Sequence, residues 1–194
     1  MMKSLKRLWQ GSAAAQQPGP ADPKLRVLMV CMGNICRSPT AEAVLRARLQ
    51  RAGLADKVLV DSAGTHGYHS GEPPDPRAIA RADQRGYALD CLRARPVQDD
   101  DFERFDFILA MDDDNLAWLK RKAPAAATGR LGLLMDYAGH HPGVTNVPDP
   151  YHGAPAGFDR VLDLVEDACE GLLPRLASAL EPTSAPGSPP PKLD

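Results

Sequence analysis

Short apolar runs alternate with longer amphipathic segments along the central part of the chain. Residues 25–30 (LRVLMV) are mostly apolar and include β-branched side chains, which is typical of a strand covered on both faces. Similar runs predict three more strands, at residues 57–64, 105–111 and about 131–135. Because strands that alternate with helices form parallel sheets, the pattern predicts an α/β fold with a four-stranded parallel sheet and helices on both faces.

Helix start signals stand before the amphipathic segments. Ser38 and Pro39 predict a helix cap followed by the first helical residue, since proline is tolerated there. Pro174 predicts a kink in the last helix because it removes a backbone hydrogen bond. The predicted helices run from Ser38 onward, from Asp75 to about Gly86, from after Asp112 to about Lys122, and from Phe158 to about Leu180.

Composition predicts the boundaries of the folded part. Residues 11–23 are rich in Ala, Gln, Pro and Gly, and the segment after residue 180 is dominated by Pro and Ser. Segments of this kind bury too little apolar surface to fold. We therefore predict a disordered extension at residues 1–23, one domain at residues 24–180 and a disordered tail at residues 181–194.

Charge and hydropathy exclude several classes of protein. The chain has 23 Lys and Arg against 25 Asp and Glu, so we expect no broad electrostatic attraction to nucleic acid or anionic lipid. No apolar run approaches the ~20 residues that cross a bilayer, and the N-terminus lacks the apolar region of a signal peptide. We expect a soluble, cytoplasmic monomer without a nucleic-acid or membrane partner.

The four cysteines indicate reduced thiols. They stand at positions 31, 36, 91 and 169, without the short paired spacing and histidine partners of a zinc site. Four cysteines in a chain of this length also do not suggest a disulfide scaffold. We therefore expect no metal and no other cofactor, and we interpret as surface residues His66, His69, His140 and His141.

The loop of residues 31–38 (CMGNICRS) lies at the carboxyl end of the first strand, where parallel sheets bind ligands. Gly33 and Asn34 easily adopt left-handed backbone conformations, which can turn successive N–H groups toward one point. With the N-terminus of the following helix, these amides would form a nest for an anion. Arg37 adds a planar fork for two phosphate oxygens. We call residues 31–38 the phosphate loop.

Cys31 is the candidate nucleophile of this loop. Surrounding amides and the Arg37 guanidinium favour its thiolate, which can attack a bound phosphoryl group without a metal. A Cys and an Arg separated by five residues also occur by chance, and the alternative is a buried structural cysteine. The position between a buried strand and a helix favours the catalytic interpretation.

These residues resemble the C-x5-R-S signature of the low-molecular-weight protein tyrosine phosphatases, at VCMGNICRSP. The resemblance spans approximately residues 25–178 and implies a metal-independent enzyme. It would act on phosphotyrosine proteins or aryl phosphates through a phosphocysteine. Further motifs resemble that family in the same order: DSAGT at 61–65, PDPRA at 74–78, FDFILAMDDDNL at 105–116 and DPYHG at 149–153.

Asp149 is the candidate general acid, because a departing phenol needs a proton. It lies in the segment NVPDPY, which its prolines keep out of a helix. Spacing alone favours a turn or a helix cap for this residue. The resemblance implies instead that Asp149 is the acid, since it is the Asp of the family's D-P-Y motif.

The resemblance also implies supporting roles. Asn34, Ser38 and Ser62 would form a polar network that holds the phosphate loop, while ordinary turn and cap roles are the alternative. Cys36 would form a reversible disulfide with Cys31 under oxidation, or would simply fill buried space. The substrate would contact Met32, Gly33, Asn34, Ile35, Cys36, Arg37 and Ser38 in the loop, and Tyr68, Tyr151 and His152 at the rim of the pocket.

Other functions fit part of the pattern. An arsenate reductase of the same fold needs a further cysteine just after the third strand, where this chain has Met111. A non-catalytic phosphotyrosine-binding module needs neither Cys31 nor Asp149, and a nucleotide-binding fold would have G-x-G-x-x-G in the first loop. The chain departs from the family at Leu92, where a histidine is common, so the hydrogen bonding there is left open.

Overall fold

A computed structural model of the protein describes residues 19–181. Its sheet has four parallel strands in the order β2-β1-β3-β4, which confirms the predicted α/β fold. Strand β1 lies between β2 and β3, so its carboxyl end is at the centre of the sheet. The strands are β1 (Leu25–Cys31), β2 (Val58–Gly64), β3 (Phe107–Ala110) and β4 (Leu131–Leu133).

The helices of the described chain are α1 (Arg37–Arg51), α2 (Pro76–Gln84), α3 (Asp101–Arg104), α4 (Asp113–Lys122) and α5 (Ala156–Leu180). The four predicted helices are confirmed as α1, α2, α4 and α5. Helix α3 and the 3-10 turns at Ala125–Arg130 and Leu134–Tyr137 were not predicted, because such short segments show no helical periodicity. Pro174 lies inside α5, and the helix continues beyond it.

Strand β1 is buried on both faces, so its alternate side chains enter two hydrophobic clusters. Val27 and Met29 pack with buried side chains of α1, α2 and α5. Leu28 and Val30 pack on the other face, with buried side chains of α3 and α4. Helices therefore cover both faces, as predicted, and the end of β1 is supported from both sides.

The predicted starts of the helices agree with the structure at α2 and α4, but the predicted cap of α1 does not. Asp75 caps α2 and Asp112 caps α4, each by accepting a hydrogen bond from a backbone N–H of the first turn. The prediction that Ser38 caps α1 is wrong, because Cys36 holds the capping position and Ser38 lies in the first turn. The Ser38 hydroxyl lies 3.1 Å from Cys31 Sγ and donates to the Ala63 carbonyl at 3.3 Å, so it serves the loop and β2 rather than the helix end.

Residues 1–18 and 182–194 lie outside the described part, so their predicted disorder stays a prediction. The predicted extension also includes residues 19–23, which the structure describes. Gly19 lies close to the side chain of Leu59, where a Cβ added to the glycine would be 2.5 Å from Cδ1. Between residues 19 and 181, none of the helices has the length and apolar character that a membrane span requires.

Candidate active site

A pocket of about 200 Å³ opens at the carboxyl end of β1. It lies between the phosphate loop, residues 66–72, which we call the rim loop, and residues 148–153, which we call the acid loop. Its lining residues are Cys31, Met32, Gly33, Ile35, Cys36, Arg37, Tyr68, His69, Asp149, Tyr151 and His152. A larger cavity of about 470 Å³ lies against α1 and β2 and is lined by none of the predicted site residues.

The phosphate loop turns at Asn34, whose φ of 57° is left-handed. Asparagine tolerates this conformation better than most residues because its short polar side chain bonds locally. The predicted left-handed backbone is therefore confirmed for Asn34. It is wrong for Gly33, which is not among the described residues with positive φ. Gly33 provides space instead, since a Cβ there would lie 3.1 Å from the His69 ring.

Cys31 lies at the bottom of the pocket and is 3% exposed. Its Sγ accepts a hydrogen bond from the Asn34 backbone N–H at 3.3 Å and lies 3.1 Å from Ser38 Oγ. The sulfur therefore lies within reach of one backbone donor and one hydroxyl of the same loop.

The Asn34 side chain holds the loop in this shape. Its amide nitrogen donates to Ser38 Oγ and to Ser62 Oγ, both at 2.9 Å. Its amide oxygen accepts a hydrogen bond from the Arg95 backbone N–H at 2.9 Å. The side chain is fully buried, so these bonds replace the ones it would make with water. The three predicted support residues therefore lie in one network that joins the loop to β2.

Two residues that the sequence analysis missed extend this network. Glu42, on α1, accepts a hydrogen bond from Ser62 Oγ at 2.5 Å and pairs with Arg46 at 2.7 Å. Burial raises the pKa of the Glu42 carboxyl to about 7, while Arg46 and Ser62 oppose that shift. A Glu followed four residues later by Arg is usually an exposed helix pair, so the sequence carried no signal for this buried role.

Arg37 is almost fully buried and connects the phosphate loop to the acid loop. Its guanidinium pairs with the carboxylates of Asp112 and Asp149, the latter at 2.7 Å, and donates to the Val147 carbonyl at 3.2 Å. Burial opposes the charge, yet Cys31 and the two carboxylates hold the pKa of Arg37 above its ordinary value. The sequence analysis used Asp112 only to place a helix and missed this contact.

Asp149 lies at the mouth of the pocket, and its side chain is 45% exposed. One carboxylate oxygen accepts a hydrogen bond from Arg37, and the other accepts one from the Tyr151 backbone N–H at 3.1 Å. As predicted, its proline-flanked segment is neither helix nor strand. A carboxyl group in this place can reach both a molecule in the pocket and the solvent.

Exposed aromatic side chains lie on the rim loop and the acid loop. Tyr68 is 78% exposed and stacks on the His66 ring at 5.3 Å between centroids. Tyr151 is 42% exposed and meets the His152 ring edge to face at 4.9 Å. Together with Met32 of the phosphate loop, these rings offer apolar faces to an aromatic group that enters the pocket.

His69 is partly exposed, in agreement with its interpretation as a surface residue, but it also belongs to the site. The residue lines the pocket, its ring lies beside Gly33, and its Nδ1 is 2.7 Å from Glu72 Oε2. No spacing in the sequence indicates this position, because only the folding of the rim loop brings the ring over the phosphate loop.

The two histidines at positions 140 and 141 contact a buried carboxylate far along the chain. His140 Nδ1 and His141 Nδ1 lie 2.9 Å and 2.8 Å from the side chain of Asp167 on α5. Although burial opposes it, these contacts and the backbone donors of Gly139 and His140 hold the pKa of Asp167 below its usual range. Within residues 19–181, no group of three or more His, Cys, Asp or Glu is placed to hold a metal ion.

Cys36 and Leu92 are both buried. The thiols of Cys31 and Cys36 are both free, and burial raises the pKa of the Cys36 thiol to about 12. Leu92 packs in the hydrophobic core on the α1 and α5 side of the sheet. On β2, Ser62 donates to Glu42.

Comparison with known proteins identifies relatives over nearly the whole described chain. Residues 26–181 match the family model of the low molecular weight phosphotyrosine protein phosphatases. The chain is 46% identical to a low molecular weight protein-tyrosine-phosphatase of Streptomyces coelicolor, over 82% of this chain and 98% of that protein. It is 38% identical to the low molecular weight phosphotyrosine protein phosphatase of Homo sapiens, over 76% of this chain and 92% of that protein.

Solved structures of similar sequence have the same fold as this chain. A protein tyrosine phosphatase from Entamoeba histolytica, crystallised with Hepes in the active site, superposes with a TM-score of 0.77 at 43% identity, covering 79% of this chain and 97% of that chain. YfkJ from Bacillus subtilis superposes with a TM-score of 0.76 at 36% identity, covering 83% of this chain and 99% of that chain. The range matched by the family model contains the phosphate loop, the rim loop and the acid loop.

Proposed function

The chain belongs to the low molecular weight phosphotyrosine protein phosphatase family, and we propose that it hydrolyses phosphotyrosine and aryl phosphate monoesters through a phosphocysteine at Cys31. One observation carries the assignment of roles. Cys31 and Arg37 of the phosphate loop meet Asp149 in a single pocket, although Asp149 comes from a distant part of the chain. A nucleophile, an anion-binding fork and a proton donor are the three groups that this reaction needs.

Binding of the phosphate rests on the phosphate loop. Its backbone N–H groups and the N-terminus of α1 supply donors for a dianion. Arg37 supplies two N–H groups in a plane, and Asp112 orients the guanidinium from the far side of the loop. Because these donors are already held in place by the Asn34 network, little reorganisation accompanies charge redistribution in the transition state.

In the first step, the thiolate of Cys31 attacks phosphorus, the bond to the phenol oxygen breaks, and a phosphocysteine forms. Asp149, in its protonated form, gives its proton to the departing oxygen. In the second step, the Asp149 carboxylate takes a proton from water as that water attacks phosphorus. The P–S bond then breaks, inorganic phosphate leaves, and Ser38 Oγ, at 3.1 Å, can donate a hydrogen bond to the returning thiolate.

The rim supports a preference for aromatic leaving groups. Tyr68, Tyr151 and His152 stand at the mouth of the pocket and present ring faces or edges to its entrance. An aryl ring would gain contact area there, whereas an alkyl phosphate would gain less. We propose phosphotyrosine side chains of proteins, or small aryl phosphates, as the substrates.

Hydrolysis of an aryl phosphate in the presence of EDTA tests this proposal, with the wild type, Cys31→Ser and Asp149→Ala compared. We expect activity that EDTA leaves unchanged, no measurable turnover with Ser, and a kcat lower by ~10²–10⁴-fold with Ala. Undiminished turnover by Cys31→Ser would contradict the nucleophile. Arsenate reduction with consumption of thiol would favour the reductase, although the position after β3 is Met111 rather than a cysteine.

We also propose that Cys36 protects Cys31 from irreversible oxidation. Peroxide converts the Cys31 thiolate to a sulfenic acid, and the Cys36 thiol then displaces water to form the disulfide. Burial raises the pKa of the Cys36 thiol to about 12, so Cys36 stays protonated and is not expected to react first with peroxide. Mass spectrometry after mild peroxide should detect a Cys31–Cys36 bridge, whereas sulfinic acid at Cys31 without a bridge would reject the proposal.

A catalytic thiol needs a reducing compartment, which supports a cytoplasmic location for this enzyme. We propose that it acts there as a monomer, since the pocket is complete within one chain. Activity per chain that stays constant over a hundredfold dilution is the expected result. A loss of specific activity on dilution would indicate that a second copy is required.

A further inference from the structure

Arg77, in the first turn of α2, contacts two of the segments that build the pocket, and the proposed function gives it no role. Its guanidinium donates to both carboxylate oxygens of Asp75, at 3.0 Å and 2.7 Å. It also donates to the backbone carbonyl of Tyr151 at 3.0 Å. The side chain therefore bridges the start of α2 and the acid loop.

On one side, this bridge is fastened to the phosphate loop. Asp75 is buried, caps α2, and donates its backbone N–H to the Ile35 carbonyl at 2.8 Å. The hydrogen bonds from Arg77 hold the pKa of Asp75 below its ordinary value, so its carboxylate stays charged at neutral pH. The anchor is thus a fixed anion that is joined to the backbone of the phosphate loop.

On the other side, the bridge reaches the proposed acid through a single residue. The carbonyl of Tyr151 accepts from Arg77, and the N–H of the same residue donates to Asp149 Oδ1 at 3.1 Å. The guanidinium also lies 4.7 Å from the centroid of the Phe158 ring, at the start of α5. These contacts hold the turn that carries Asp149 against the starts of α2 and α5.

We propose that Arg77 is a positioning residue for the acid: it ties the acid loop to the phosphate loop and so keeps Asp149 within reach of the leaving-group oxygen. This inference rests on the proposed function. It predicts that loss of Arg77 slows only the proton transfer to the leaving group, because only this step requires Asp149 to be close to the leaving-group oxygen. Phosphate binding and attack by Cys31 use groups on the other wall of the pocket.

The test compares two substrates with the variants Arg77→Met and Arg81→Met. Phenyl phosphate has a poor leaving group that needs the acid, whereas p-nitrophenyl phosphate has a good one that needs it far less. Arg81 is a matched control because it lies one turn further along α2 and pairs with Asp159 at 3.7 Å, on α5. The parameter to compare is kcat/KM, which reports the step that breaks the P–O bond.

We expect Arg77→Met to lower kcat/KM by about 10- to 30-fold for phenyl phosphate and by at most about threefold for p-nitrophenyl phosphate. Arg81→Met should leave both values within about twofold of the wild type. Arg77→Lys should give an intermediate loss with the same leaving-group dependence, because lysine keeps the charge but lacks the planar fork. If Arg77→Met does not fold, Arg77→Lys can be compared with Arg81→Met in its place.

The contrary results are equally specific. An equal loss on both substrates would assign Arg77 a general structural role, and an Arg77→Met variant that behaves like Arg81→Met would assign it none. Either result overturns the inference while the wild type remains an aryl phosphatase. A wild type that hydrolyses neither substrate would instead overturn the proposed function itself.

Discussion

The phosphate loop and the acid loop face each other across one pocket, and they are built in opposite ways. The phosphate loop is mostly buried, apart from Met32, and its Cys31 and Asn34 are held by a hydrogen-bond network that extends into α1 and β2. The acid loop is largely exposed, and it is attached through a few contacts, from Arg37 to Asp149 and from Arg77 to Tyr151. The phosphate loop, which we call the phosphate wall of the pocket, is part of the core. The acid loop, which we call the acid wall, packs against it from the outside.

This difference fits the chemistry that we propose for each of the two loops. Stabilising charge on a phosphoryl group requires donors that do not move during the reaction, and buried networks provide them. A proton donor has to exchange with water, and a rim has to admit substrate, so both need exposure. Substitutions on the phosphate wall should therefore change rate and stability together, whereas substitutions on the acid wall should change rate or affinity alone.

Beside the nucleophile and acid variants already described, the largest further effect is expected at Arg37, which belongs to the phosphate loop and also contacts the acid loop. Replacing it by lysine keeps one positive charge and removes the planar fork. We expect Arg37→Lys to lower kcat/KM for an aryl phosphate by ~10³-fold, in line with the loss of a preorganised transition-state donor. Steady-state kinetics measure this, and a loss smaller than tenfold would mean that a point charge is sufficient.

Two substitutions of Asn34 distinguish the energetic cost of backbone strain in the phosphate loop from the contribution of its side-chain hydrogen bonds. Asn34→Ala removes the side-chain bonds and leaves a methyl group at a positive φ, so the free energy of unfolding should fall by about 2–4 kcal/mol. Asn34→Gly removes the same bonds without the strain and should recover about 1 kcal/mol of that loss. Urea unfolding measures both variants, and equal stabilities would show that the backbone conformation costs nothing.

The buried carboxyl group of Glu42, which supports the phosphate loop through Ser62, should lower the free energy of unfolding when it is ionised. Its pKa is raised from 4.5 to about 7 in the folded state, so the folded protein binds more protons than the unfolded chain between these values. The stability that protonated Glu42 contributes is present below about pH 4.5 and is lost as the pH rises through about 7. Relative to Glu42→Gln, the wild type should lose about 3 kcal/mol over this range.

Unfolding experiments on both proteins from pH 4 to pH 8 measure this difference. Because the glutamine side chain of the variant does not titrate, groups common to the two proteins cancel in the comparison. A difference that is independent of pH would mean that the Arg46 pair compensates fully for burial. A difference of opposite sign would mean that the pair stabilises the carboxylate more than burial destabilises it.

The smallest expected effects are at the rim. Tyr151→Ala removes an exposed ring but keeps the backbone groups that contact Arg77 and Asp149, and Tyr68→Ala removes a ring that is even more exposed. Each should raise KM for an aryl phosphate about two- to fivefold, leave kcat almost unchanged, and alter the free energy of unfolding by less than about 0.5 kcal/mol. A large loss of stability would contradict the distinction between the two walls.

Much of the fold and the centre of the site followed from sequence because their signals are local. The buried run that ends at Cys31, the Asp75 cap and the spacing of apolar residues in α5 each depend on neighbours within a few positions. The errors have a common origin as well. Ser38 looked like a cap and Gly33 like a turn residue, because both roles are ordinary when the loop is considered without the surfaces around it.

The order of strands and helices along the chain, and the clustering of Cys31, Arg37 and Ser38 in one short loop, can be read from the amino-acid sequence alone. The distant groups that this loop meets depend on the folded molecule: Glu42 through Ser62, Asp112 beside Arg37, and His69 beside Gly33. The reason is physical. Local backbone preferences act over a few residues, whereas contacts between remote side chains depend on how all the intervening elements pack, and no spacing along the chain records that outcome.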